Sequence, residues 1–275
     1  MILRANCKIN IGLDVLRRRA DGYHDLDTVM IPLHDLYDEV GVEPLIGSQD
    51  VRFEGVGMKI DCAPEQNLCV RAARLVQSRY STDGVAIRLE KRVPFGAGLG
   101  GGSADATAVI VAMNELFSLK LNESELIELA SQIGSDTAFF VRNTPQLCRG
   151  RGEKMTPISL DLNGLSIVVI KPEGVNISTR EAYAGVSPHQ PEQALSDLLR
   201  EPIESWQGRV KNDFEAHILE AHPLLAQIKD ALIDAGAIYA AMSGSGSTMY
   251  GLFRGVDTSA MKLLNKYRPQ IFELG

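Results

Sequence analysis

The stretch Pro94-Phe95-Gly96-Ala97-Gly98-Leu99-Gly100-Gly101-Gly102-Ser103 decides how this chain is read. It follows the alternating segment Val85-Ala86-Ile87-Arg88-Leu89 and leads into Ala104-Asp105-Ala106-Thr107-Ala108-Val109-Ile110. The pattern spells a strand over 85–92, a glycine loop, and a helix over 103–117. Glycine admits positive φ and removes each Cβ that would hold a ligand away from the backbone. The N–H groups at a helix start have no intrahelical acceptor and carry partial positive charge. Loop and helix start together make a site for a phosphate chain.

Three loop chemistries compete for this pattern. Gly96-x-Gly98-x-x-Gly101 matches the dinucleotide fingerprint in form, but that fingerprint needs a strand after its helix. Here the next element is a second helix, opened by the capping pair Asn122 and Glu125 and running to about residue 133. Gly96-x-x-x-x-Gly101-Gly102-Ser103 is one residue from a P-loop, and Gly102 stands where the phosphate-neutralising lysine belongs. No V-A-I-K, H-R-D or D-F-G follows, which excludes a protein-kinase loop. A backbone cradle remains, whose bound charge must be met from outside the loop. A second glycine turn, Ser243-Gly244-Ser245-Gly246-Ser247, falls between strands read at 237–241 and 249–253. It is not G-x-S-x-G and therefore not a hydrolase elbow.

The rest of the chain sets the frame. At 275 residues two domains are expected, with a boundary near 154–162 that gives segments 1–154 and 155–275. Strands are read at 8–15 and 26–33, a helix at 67–80, an apolar strand at 165–170, a helical region at 213–235 broken at His222-Pro223, and a helix at 258–267. A net charge of −7 argues against a nucleic-acid partner. No apolar run reaches the ~20 residues that span a bilayer, so no membrane partner is expected. Cys7, Cys62, Cys69 and Cys148 lack C-x-x-C spacing and read as reduced thiols of a cytoplasmic protein without a leader peptide. No obligate protein partner is evident.

Three segments stand in order: Lys8-x-Asn10 with Asp21-Gly22-Tyr23-His24, then Pro94 to Ser103, then Ser243 to Thr248. This arrangement resembles the GHMP kinases. The N-terminal Ala5-x-x-Lys8-Ile9-Asn10 and Arg19-Ala20-Asp21-Gly22-Tyr23-His24, with Asn67-Leu68-Cys69-Val70-Arg71-Ala72-Ala73 and Gly134-Ser135-Asp136, are similar to the branch acting on cytidine-diphosphate methylerythritol. The resemblance implies an α+β fold, with an N-terminal domain like the second domain of ribosomal protein S5 and a ferredoxin-like C-terminal domain. It implies transfer of the γ-phosphate of ATP to the substrate's tertiary 2-hydroxyl, in non-mevalonate isoprenoid synthesis.

By the same resemblance, Asp136 is the base and Lys8 the cation that holds it ionised and stabilises developing charge. ATP would be bound by Pro94, Phe95, Gly96, Ala97, Gly98, Leu99, Gly100, Gly101, Gly102, Ser103 and Ala104, with Asn67 and Lys91 lining the adenine pocket. Mg²⁺ is expected with ATP, and Ser103 is its candidate ligand. Tyr23 and His24 would hold the cytosine, with Tyr183 a second stacking face and Thr179 nearby. Asn10 would contact substrate or orient Lys8. Where the family often has a second serine this chain has Ala104, and after Asp136 it has Thr137-Ala138 in place of Val-Pro. A homoserine- or mevalonate-type kinase, or a silent nucleotide-binding regulator, would share the loop. Tyr23-His24 argues against the first, and Lys8 with Asp136 against the second.

Overall fold

A computed structural model of the chain describes every residue except Lys59, Asp61 and Gly275, and omits the side chain of Ala260. Two compact units interleave along the sequence. The first comprises Met1–Lys8, Pro32–Phe95 and Gly100–Thr144; the second comprises Ile9–Ile31, Gly96–Leu99 and Pro145–Gly275. Strands β1 (Ile2–Arg18) and β2 (His24–Leu45) contribute residues to both. They run far beyond the stretches expected at 8–15 and 26–33. Asp35 and Asp38 break the apolar pattern beyond residue 33, and Asp27 is carried within the strand by its ladder pairing to Arg149.

In the first unit, β3 (Val51–Gly57) runs parallel to β4 (Gly84–Lys91), and β4 pairs antiparallel with the C-terminal half of β2, Glu39 opposite Glu90. Helix α1 (Leu68–Tyr80) joins β3 to β4, so β3-α1-β4 is a crossover unit, and α1 also packs on α2 (Gly101–Leu116). Ala104, Ala106, Ala108 and Ala112 keep α2 thin enough to be buried on nearly all sides. Helix α3 (Glu123–Ser131) opens with the expected capping box, Asn122 and Glu125 each accepting the other's backbone N–H. The short helix α4 (Phe139–Arg142) follows.

In the second unit, β5 (Gln146–Gly150) pairs with the N-terminal half of β2 and with β6 (Lys154–Pro157). Strand β7 (Leu165–Ile170) is buried along its whole length, as its apolar run requires, and Ser166 within it donates its hydroxyl to Glu273. Short helices α5 (Thr179–Ala184) and α6 (Leu195–Leu198) precede α7 (Glu215–Ala221) and α8 (Pro223–Asp234), which divide at the expected His222-Pro223. Strands β8 (Tyr239–Met242) and β9 (Met249–Phe253), helix α9 (Thr258–Leu264) and strand β10 (Gln270–Leu274) complete it. The order β10-β7-β9-β8 is antiparallel throughout. Leu225, Ile228 and Leu232 of α8 join Val168, Ile170, Met242 and Met249 in its core. All four cysteines are free. Among the described residues no helix is long and apolar enough to cross a membrane.

Candidate active site

The site in the first unit is built on the start of α2. Gly100 caps the helix at φ 70° with no side-chain cap, so the first-turn N–H groups have no side-chain acceptor. A Cβ on Gly100 would lie 3.1 Å from Lys8 Cε, and one on Gly101 2.9 Å from Val93 Cγ1 and 3.0 Å from Lys91 Nζ. Gly102 has only Leu68 Cδ1 at 3.7 Å. Gly100 and Gly101 are therefore required by close approach, whereas Gly102 has room for a side chain. The bare, uncapped N–H groups on a 16-residue helix fit a phosphate chain. Ala104 lends no further donor, because its N–H bonds Gly100 O at 3.0 Å and its methyl is buried.

Lys8 and Asp136 meet beside this helix start, with Nζ 3.3 Å from Oδ2. The lysine side chain is 3% exposed and the carboxylate 30%. Such an ammonium requires a countercharge, and a half-buried carboxylate remains open to a reacting group. Two sets of hydrogen bonds and one glycine brace the segments that carry the pair. Thr107 Oγ1 donates to Thr137 O (2.8 Å) or Ser103 O (3.0 Å), fixing α2 to the turn after Asp136. Asn6 and Asn143 exchange side-chain amide bonds at 3.1 and 2.7 Å, fixing β1 to the end of α4. Gly134 allows the turn to close, since its Cβ would lie 3.0 Å from Thr137 Oγ1 and 3.9 Å from Ser103 Oγ. Ser103 thus sits by the carboxylate turn as well as at the helix start.

The side chains of the two residues expected to line the adenine pocket are engaged within the fold. Lys91 does not offer its ammonium to a pocket: Nζ is 2.5 Å from Asp38 Oδ2 and 2.8 Å from Asp105 Oδ2, and all three side chains are at most 2% exposed. Asn67 is the N-cap of α1, its Oδ1 accepting from Cys69 N at 2.9 Å, and it is buried. Pro94 is half-buried and Phe95 exposed.

In the second unit, Gly96–Leu99 packs against the second glycine turn. Ser243 Oγ donates to Gly98 O at 2.9 Å, and Thr248 N to Ala97 O at 3.2 Å. A Cβ on Gly98, at φ 77°, would fall 2.0 Å from Ser243 O, so only glycine fits. Asn212 braces that turn by donating to Met242 O and Gly244 O, both at 2.8 Å. Asn10 is buried, with Nδ2 3.0 Å from Thr28 Oγ1.

The aromatic set lies in the same unit. Gly22 at φ 85° closes the turn that presents Tyr23, 54% exposed, with the Arg151 guanidinium 4.9 Å over its ring. His24 stacks on Tyr183 at 4.7 Å and 19°, and Tyr183 meets the edge of Phe214 at 4.9 Å. Burial, with the Arg18 charge, holds the His24 imidazole below its usual pKa, so near neutrality it offers one donor and one acceptor. Thr179 is exposed one helical turn before Tyr183 on α5.

No sequence pattern marks Asp38, Asp105, Asn143, Arg151 or Asn212. Each acts on a partner distant in sequence, and no spacing rule announces it. The match to the GHMP kinases N terminal domain covers residues 67–144, and the match to the GHMP kinases C terminal domain covers 192–261. The chain belongs to the GHMP kinase family. This GHMP kinase, a small-molecule kinase, is 41% identical to the 4-diphosphocytidyl-2-C-methyl-D-erythritol kinase of Parabacteroides distasonis over 92% of each chain. Against the enzyme of that name from Bacteroides thetaiotaomicron it is 43% identical, again over 92% of each. A crystal structure of 4-(cytidine 5′-diphospho)-2C-methyl-D-erythritol kinase superposes with a TM-score of 0.81 at 32% identity, covering 100% of both chains. The GHMP kinase shares its fold with the Methanococcus jannaschii mevalonate kinase, at a TM-score of 0.72 and 14% identity over 100% of this chain and 98% of that one.

Proposed function

We propose that this chain phosphorylates the 2-hydroxyl of 4-diphosphocytidyl-2-C-methyl-D-erythritol with ATP, a step of methylerythritol phosphate isoprenoid biosynthesis in the cytoplasm. The observation that carries the reading is the Lys8–Asp136 pair at 3.3 Å beside the uncapped start of α2. The names of the relatives supply the substrate.

In this reading Asp136 accepts the proton of the substrate hydroxyl. That hydroxyl oxygen forms the new bond to the γ-phosphorus as the bond to the β–γ bridging oxygen breaks. A carboxylate suffices as base because the proton leaves late in a loose transition state. Lys8 pairs with Asp136 and faces the charge that develops on the transferred group. Gly100, Gly101, Gly102 and Ser103 offer backbone N–H groups to the phosphates, and the remaining loop residues from Pro94 to Leu99 shape the approach. Ser103 Oγ would hold Mg²⁺, which supplies charge neutralisation when bound.

Tyr23 and Tyr183 present ring faces to the cytosine, His24 bonds its edge, and Thr179 and Asn10 complete the substrate contacts. The exposed, cation-backed Tyr23 ring favours a base-bearing substrate over homoserine or mevalonate. A coupled spectrophotometric panel of acceptors with ATP tests the assignment. Turnover is expected with the cytidine-diphosphate compound, and turnover confined to homoserine or mevalonate would overturn it.

A further inference from the structure

The loop lacks a lysine at Gly102, yet a lysine lies directly beneath it. Lys91 is the last residue of β4, and its Nζ would touch a Cβ on Gly101 at 3.0 Å. It reaches Asp38 on β2 and Asp105 on α2 at 2.5 and 2.8 Å. The other oxygen of Asp38 accepts Arg92 N at 2.6 Å and Val93 N at 2.7 Å, the two residues that enter the glycine loop. The entry strand and the exit helix are therefore tied to one buried cluster of a lysine and two carboxyl groups. Asp105 Oδ1 has no hydrogen-bond partner. A buried, partly satisfied ionic cluster is poor value for stability alone, because apolar residues of the same shape commonly do as well. Pre-organisation of the N–H groups above it gives the cluster a role that apolar residues would not fill.

We infer that Asp38, Lys91 and Asp105 form a positioning latch that sets the geometry of the nucleotide-binding start of α2 and places a cation under Gly101. None of the three touches the nucleotide. The inference rests on the reading of that loop as the ATP site.

The latch predicts a split between parameters that a core role would not produce. Leucine and asparagine are both near-isosteres of aspartate, but only asparagine keeps an oxygen for Lys91. Asp105→Leu should raise KM for ATP about tenfold, leaving kcat and the acceptor KM within about twofold. Asp105→Asn should return the ATP KM to within about threefold of the wild type. Nucleotide binding by calorimetry on the full chain should weaken in parallel. The double variant Lys91→Met with Asp105→Asn removes the lysine and leaves Asp38 on its two backbone donors, and the same rise in ATP KM is expected. An unchanged ATP KM in both Asp105→Leu and the double variant, a fall in kcat alone, or loss of folding in both would overturn the latch. A wild-type chain that binds no ATP would instead overturn the reading of the loop.

Discussion

At the scale of single residues, the account turns on which groups are held ready for chemistry and which are committed elsewhere. Asp136 is held by Lys8 and left partly open, so Asp136→Asn should lower kcat at least about a hundredfold with ATP binding retained, checked by steady-state kinetics and calorimetry. Unchanged turnover would remove Asp136 as the base. The His24 imidazole is held below the ordinary imidazole value by burial, then by the Arg18 charge. Its folded form thus disfavours the proton: the associated stability is full above the unfolded value and falls away as pH drops through it. Substrate recognition by the neutral ring follows the same sign. The acceptor KM should rise as pH falls below the ordinary imidazole range, and His24→Gln should flatten that limb. An acidic limb that persists in His24→Gln would assign it to another group.

At the scale of elements, two devices set the site: a helix whose first turn is left bare, and a glycine at each close approach. Gly98→Ala must push a Cβ into Ser243 O and adopt a positive φ, so it should destabilise by more than ~2 kcal/mol in chemical denaturation. Gly102→Ala, whose nearest neighbour is 3.7 Å away, should change stability far less. Asp105 belongs to this scale as well. Burial pushes its carboxyl up to about 8, against Lys91 and with Asp38 adding to the rise. A carboxyl raised on folding contributes stability that is full below its unfolded value and lost as pH climbs through the folded one. Asp105→Asn should therefore gain melting temperature relative to wild type on going from about pH 5 to about pH 9, and a constant offset would contradict that.

At the scale of the whole molecule, local signals were legible and long-range partners were not. The capping box at Asn122 and Glu125, the break at His222-Pro223, the strand Leu165–Ile170 and the helix after the glycine loop follow from caps, proline and apolar period. Strands β5, β6 and β10 lack a strong pattern of their own, and that of β3 is weak. β3 is a mixed, mostly exposed strand fixed by its parallel partner β4, and β10 is an edge strand set by β7. The site divides in the same way. Lys8, Asp136 and the glycine loop carry a family pattern, whereas Asp38 and Asp105 are revealed only when β2 and α2 converge on Lys91. Lys91 shows the difference most clearly: the sequence offers a residue lining the adenine pocket, and the fold places its ammonium between two buried carboxyl groups. The most direct test of the central claim is turnover of 4-diphosphocytidyl-2-C-methyl-D-erythritol with ATP by the full chain. The account predicts stoichiometric ADP and a product phosphorylated at the 2-hydroxyl, with turnover lost in Asp136→Asn; no turnover of this substrate under conditions where the chain binds ATP would contradict it.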